Sequence, residues 1–293
     1  MDTSTATARI ESVAACDGVP LAVETHRASG APGLLFAHGF GQTRGAWSGA
    51  VAALAARGCR CVSFDARGHG ESGRMPAGDY HMQQFVDDLL TLARAQPEPP
   101  LLVGASMGGL LGLVAAGETR PSPFRALVLV DITPRWETKG VERILAFMQA
   151  HPDGFADYAE AAEQIAAYLP HRPGRKSEEQ LRPLMRIGGD GRLRWHWDPA
   201  LLAGDLIAES ERYQPRLFAA AAQVDVPVLL LSGERSDVVS QSTVEEFLQL
   251  VPHARHVEVA GATHMLAGDA NDAFTREIAH FIHSLDGAFV RAG

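Results

Sequence analysis

"LLVGASMGGLLGLVAAGE", residues 101–118, sets one serine among glycines between two apolar runs. The first run, LLVGA, is short and continuous, as a buried strand is. The second, from Met107 onward, has the length and residue types of a helix. Ser106 lies at the junction, with Gly104 and Gly108 two positions to either side, a G-x-S-x-G pattern. Five residues of this kind recur by chance, and a glycine-rich bend that packs a helix close to a strand would look the same. The strand–turn–helix context favours a sharper reading. A serine on a strained turn needs small neighbours on both sides. Its hydroxyl then stands at the carboxyl end of the sheet. There the first N–H groups of the next helix face any charge that develops on a bound oxygen.

The sequence on both sides repeats this rhythm. GLLFAHG (33–39), CRCVSFD (59–65) and FRALVLVD (124–131) read as buried strands. Between them, 46–58, 79–96 and 107–119 carry helical patterns. Near-continuous apolar strands alternating with helices indicate a mostly parallel sheet covered on both faces. An N-terminal hairpin turning at Asp17-Gly18 is expected ahead of it. The rhythm stops near Thr133. Residues 137–150 and 154–169 read as helices, followed by the proline-rich LPHRPG and by GRLRWHWDP. It resumes with a helix near 209–222, the strand VPVLLLSG (226–233), a helix, the strand RHVEVAG (255–261) and a final helix. The expected organisation is therefore one core, residues 1–132 and 207–293, interrupted by a mainly helical insertion over 133–206.

A serine nucleophile needs a base, and the base needs a group that orients it. The chain has 12 histidines, so position must choose. Chemistry in open α/β sheets sits beyond the carboxyl ends of the strands. His264, in AGATHMLAGD just past the last strand, lies at that edge. His253 and His256 lie at the opposite edge, and His280 and His283 within the final helix. By the same test Asp237, in SGERSDVV, is the expected orienting carboxylate. Asp131, which ends its strand, is its rival, and Glu234 is a weaker one. The loop after the strand 33–37, AHGFGQTRGAW, supplies glycines that let backbone approach a substrate. The backbone N–H groups of Phe40 and Met107 are the expected oxyanion donors. His38 reads as a loop brace. His38, Gly39, Trp136, Phe147 and Met148 are the candidates for lining the pocket.

The 293 residues are 46% hydrophobic and 21% charged, ordinary proportions for a globular chain with a sizeable core. A net charge of −9 argues against nucleic acid and anionic membrane as partners. Three cysteines do not make a disulfide framework. The N-terminus lacks the charged start and apolar run of a signal peptide, and no stretch approaches the ~20 apolar residues of a membrane span. A cytoplasmic protein, monomeric or a small homo-oligomer, acting on a small-molecule substrate is the expectation.

The segments HGFG (38–41), DARGHGES (65–72), GASMGG (104–109), SGERSDVV (232–239) and GATHM (261–265) occur in the order and spacing of the α/β-hydrolase superfamily, which the chain resembles. Serine esterases, enol-lactonases and cofactor-free haloperoxidases or perhydrolases are the most similar groups. The resemblance implies a helical cap after the sixth strand, a triad of Ser106, Asp237 and His264, and no metal or organic cofactor. It implies hydrolysis of carboxylic esters, thioesters or lactones through an acyl-enzyme. Carbon–carbon hydrolysis of vinylogous diketones, or cofactor-free perhydrolase or haloperoxidase chemistry, with the same triad is the alternative, and ligand binding without catalysis is a further one. Serine at position 106 argues against the dehalogenase and epoxide hydrolase branches, which carry aspartate there.

Two patterns point elsewhere. GHGESG (68–73) matches G-x-G-x-x-G after a strand. A dinucleotide site needs a helix to begin at once, and RMPAGD follows instead. A tight turn braced by Asp65 and Arg67 is the expected reading. His280 and His283 share a helix face but lack a third metal ligand, and Trp195 and Trp197 read as packing for the insertion.

Overall fold

The computed structural model describes residues 8–26, 33–168, 174–264 and 271–289. An eight-stranded sheet in the order β1-β2-β4-β3-β5-β6-β9-β10 runs through the molecule. The hairpin β1 (Ala8–Ala14) and β2 (Pro20–His26) is antiparallel, and β2 joins β4 (Arg60–Phe64) antiparallel. The pairs from β4 to β3 (Gly33–Ala37), β5 (Leu101–Ala105), β6 (Ala126–Val130), β9 (Val228–Gly233) and β10 (Arg255–Val259) are parallel.

The continuous apolar strands bury both faces, and the two-residue period divides them between two layers. Leu34, Phe36, Leu101, Val103, Val128 and Leu231 face one layer, closed by α1 (Ser48–Ala55) and α9 (Asn271–Phe289). Trp47 stacks on Phe274 there, with ring centres 5.8 Å apart. Leu35, Leu102, Leu127, Leu129 and Leu230 face the other layer. It is closed by α2 (Met82–Arg94), α3 (Met107–Glu118), α7 (Leu206–Ala221) and α8 (Gln241–Leu250).

The chain between β6 and α7 forms α4 (Thr138–Gln149), α5 (Tyr158–Tyr168) and the single turn α6 (Glu178–Leu181). It also forms an antiparallel hairpin, β7 (Met185–Ile187) and β8 (Leu193–Trp195), which the sequence pattern did not announce. Phe155 bridges to Leu193. Phe155, Ala161, Ile165, Leu181, Met185 and Leu193 make a small hydrophobic cluster of their own.

The GHGESG turn is built as a brace. Asp65 accepts from the backbone N–H groups of Arg44 and Glu71, at 2.7 and 2.9 Å. Arg67 is fully buried and ion-pairs with Asp88 and Asp17. No helix follows this turn before Met82. His280 is exposed, and no metal-ligand cluster occurs among the described residues. Among the same residues no helix is long and apolar enough to cross a membrane.

Candidate active site

Ser106 caps α3 with φ 46° and ψ −115°, outside the favoured regions for an L-residue. The turn is held by donation from the Ser106 N–H to the Val130 carbonyl at 3.0 Å, and from Gly109 N–H back to Ser106 O at 2.9 Å. Its tightness explains the glycines. A β-carbon on Gly104 would lie 2.5 Å from the Gly108 carbonyl oxygen, and one on Gly108 would lie 2.3 Å from that of Ala37. Strained backbone of this kind persists where its surroundings over-determine it, and it concentrates at functional sites.

His264 lies beyond the carboxyl end of β10, with 13% of its side chain exposed. Its Nδ1 is 2.7 Å from Asp131 Oδ2. The carboxylate that meets His264 is therefore Asp131 and not Asp237, where spacing predicts the latter. Asp131 follows β6 directly, also at positive φ (51°), and its N–H extends the β6–β9 ladder to Leu231 O at 2.7 Å. Its buried carboxylate also accepts from Gly233 N–H at 2.8 Å and from Ser236 Oγ at 2.5 Å. Ser236 Oγ in turn accepts from the N–H groups of Val238 and Val239. The loop after β9 thus turns Ser236 inward and Asp237 outward. Asp237 meets Arg143 of α4 at 2.7 Å, and the pair is about half exposed (49% and 36% for the two side chains). One local signal favoured Asp131: it ends an uninterrupted buried strand, whereas Asp237 lies four residues past its strand.

The register pairs Ala105 with Val130, so Ser106 and Asp131 leave adjacent strands side by side. With the Asp131 carboxylate on Nδ1, that nitrogen carries the proton and Nε2 keeps its lone pair. This arrangement can take a proton from a serine hydroxyl and stabilise the imidazolium that results.

Gly39 lies against this turn: a β-carbon on it would be 3.4 Å from Ser106 Cβ. Phe40 follows, its ring edge-on to His69 at 5.6 Å. Met107 is the first residue of α3, so its N–H has no acceptor within the helix. Met148 of α4 is buried and packs at Gly41 together with Trp197, beside this loop. Trp136 is buried in the same cluster. Phe147 points the other way. It stacks on Tyr168 at 4.1 Å and meets Trp195, within the insertion's own aromatic packing. Trp195 and Trp197 stack at 4.6 Å, in keeping with a packing role.

His38 is buried, and both its nitrogens are bonded to backbone: Nε2 accepts from Ala66 N–H at 2.9 Å and Nδ1 donates to Gly39 O at 2.8 Å. It braces the Gly39 loop, with both ring nitrogens committed to backbone. His69 and His196, which the sequence did not single out, continue the pattern. His69 Nε2 accepts from Gly41 N–H at 3.1 Å. His196 Nδ1 accepts from Gly70 N–H at 2.8 Å, and its Nε2 donates to Gly41 O at 3.3 Å. Burial pushes His38 down to about 4 and His69 and His196 down to about 3, so all three are neutral near pH 7.

The alpha/beta hydrolase fold family matches residues 32–270. The 3-hydroxybutyrate-oligomer hydrolase of Cupriavidus necator is 33% identical over 245 residues, covering 79% of this chain and 82% of that protein. The 2-(acetamidomethylene)succinate hydrolase of Mesorhizobium japonicum is 27% identical over 259 residues, covering 86% of this chain and 88% of that protein. A crystal structure of E-2-(acetamidomethylene)succinate hydrolase matches with a TM-score of 0.76 at 27% identity, covering 94% of this chain and 100% of that one. With fold, serine turn and relatives in agreement, the chain belongs to the α/β-hydrolase family of enzymes.

Proposed function

We propose that this enzyme is a serine hydrolase of carboxylic esters, thioesters or lactones. The observation that carries the reading is the Asp131–His264 hydrogen bond at the sheet edge where Ser106 sits on its strained turn. Ser106 Oγ attacks the substrate carbonyl while His264 Nε2 takes the hydroxyl proton. Asp131 keeps the proton on Nδ1 and stabilises the imidazolium. The N–H groups of Phe40 and Met107 stabilise the oxyanion, an effect worth about 3 kcal/mol per donor in comparable enzymes. The tetrahedral intermediate collapses to an acyl-enzyme, and His264 returns the proton to the leaving oxygen or sulfur. Water, deprotonated by His264, then releases the acid and restores Ser106. Residues 133–206 act as a cap that supplies Met148 and Trp136 as apolar walls. The similarity to a 3-hydroxybutyrate-oligomer hydrolase favours esters, because such oligomers are joined by ester bonds.

Treatment with a fluorophosphonate should add one phosphonyl group to the intact protein and none to Ser106→Ala. An unlabelled wild type, or an equally labelled Ser106→Ala, overturns the reading. A panel of p-nitrophenyl esters and vinylogous diketones sorts the substrate class. Turnover of the diketones with no ester turnover would assign the triad to carbon–carbon cleavage.

A further inference from the structure

The loop that carries the Phe40 N–H is held from both sides at the next residue, Gly41. Gly41 sits at φ +74°, where only glycine is unstrained, and a β-carbon there would lie 2.7 Å from Met148 Cε. Its N–H is taken by His69 Nε2 at 3.1 Å, and its carbonyl accepts from His196 Nε2 at 3.3 Å. His69 belongs to the core. His196 belongs to the segment inserted between β6 and α7, 126 positions from the Gly70 N–H that its other nitrogen accepts. That segment is stapled down at the same place. Asp198 N–H donates to Gly68 O at 2.7 Å, Arg186 donates to Gly70 O, and Tyr80 Oη donates to Asp198 Oδ2 at 2.7 Å.

Each imidazole nitrogen here has one backbone partner, and the partners set the tautomers. The Gly70 N–H needs an acceptor at His196 Nδ1, so the proton sits on Nε2 and is aimed at Gly41 O. The Gly41 N–H needs an acceptor at His69 Nε2, so the His69 proton sits on Nδ1, where Arg67 O accepts it at 3.0 Å. The Phe40–Gly41 peptide, which directly follows Phe40, is oriented through its N–H by the neutral ring of His69, and the Gly41–Gln42 peptide is oriented through its carbonyl by that of His196, so the two rings together fix Gly41 beside Phe40. A donor aimed at an oxyanion must be held to a few tenths of an ångström to act on the transition state.

We infer that His196 is a positioning residue for the oxyanion donor at Phe40, so that the inserted segment completes the catalytic loop by donating from His196 Nε2 to the Gly41 carbonyl. The inference rests on the serine hydrolase reading above. It adds that the segment shapes the transition-state site as well as covering it.

Three substitutions separate this bond from simple packing. His196→Phe keeps a flat ring and removes both hydrogen bonds. His196→Asn keeps an acceptor near Nδ1 for Gly70 and removes the donor to Gly41. His196→Gln places an amide donor near Nε2 for Gly41 and removes the acceptor for Gly70. Ester hydrolysis is followed with each, alongside thermal melting. The expected result is that His196→Asn and His196→Phe lose about 10-fold or more in kcat with KM changed by less than about 3-fold. His196→Gln should stay within about 3-fold of wild type in kcat. If His196→Phe does not fold, the comparison of Asn with Gln decides. The inference is overturned if Asn keeps wild-type kcat, if Gln loses as much as Asn, or if the losses lie in KM alone. A wild type without Ser106-dependent turnover overturns the serine hydrolase reading itself. Wild-type turnover with unchanged kcat in His196→Asn overturns only this inference.

Discussion

At Ser106 the backbone holds a conformation that relaxed chain would leave (φ 46°), and the glycines around it leave no room for relaxation. Gly108→Ala would push a methyl to 2.3 Å from Ala37 O, an atom of β3 that cannot move alone. A loss of about 2–3 kcal/mol in urea unfolding is expected, together with loss of fluorophosphonate labelling. The choice between two aspartates also belongs at this scale. Asp131→Asn puts an amide where His264 Nδ1–H needs an acceptor and can enforce the wrong tautomer. A fall in kcat of about 10³-fold or more is expected. Asp237→Asn removes only a half-exposed pair with Arg143, worth about 0–1 kcal/mol, and should change kcat less than about 5-fold. Ester kinetics of the two variants side by side check this, and the reverse order would return the acid to the loop after β9.

At the scale of elements, the insertion between β6 and α7 has two unlike sides. Its own cluster around Phe155 packs away from the sheet, with Trp195 edge-on to Phe155 at 5.4 Å. Met148 and Trp197 pack instead into the core cluster. Phe155→Ala should therefore loosen the insertion before the sheet. A local cost of about 3–5 kcal/mol follows from the ring volume removed. Hydrogen exchange should report it as lost protection over the β7–β8 hairpin, with β5 and β6 unchanged. Equal loss in the sheet would mean that the two parts unfold as one unit.

For the whole molecule, the buried histidines couple stability to pH. An exposed imidazole takes a proton near 6.5, whereas His38 is held to about 4 and His69 and His196 to about 3, chiefly by burial. Between those values the unfolded chain binds more protons than the folded one. The stability these rings contribute is complete above about pH 6.5 and is lost as pH falls toward 4 and then 3, by up to about 1.4 kcal/mol per ring per pH unit. Urea midpoints should be flat from pH 7 to 8 and should fall steeply between pH 6 and 5. His196→Gln, which cannot titrate, should flatten that slope.

The sheet, its two-faced burial, the serine turn and the edge on which His264 lies were all legible in the sequence. Each is written in local periods: strands as continuous apolar runs, the turn as small residues two apart, the histidine as a residue just past a strand. The β7–β8 hairpin was hidden because three-residue strands carry no periodicity to read. Local rules left the partner of His264 open, since Asp131 and Asp237 both follow parallel strands that lie side by side, and the shorter distance of Asp131 from its strand end was the one local sign in its favour. What separated them were partners distant in the chain: Ser236 and the Gly233 N–H turned toward Asp131, and Arg143 reached Asp237 from the insertion. The same holds for His196, whose significance lies in Gly41 and Gly70. Strand ends follow from local sequence, but the direction of a buried polar side chain follows from whichever distant donor or acceptor satisfies it, and only the folded chain brings those together.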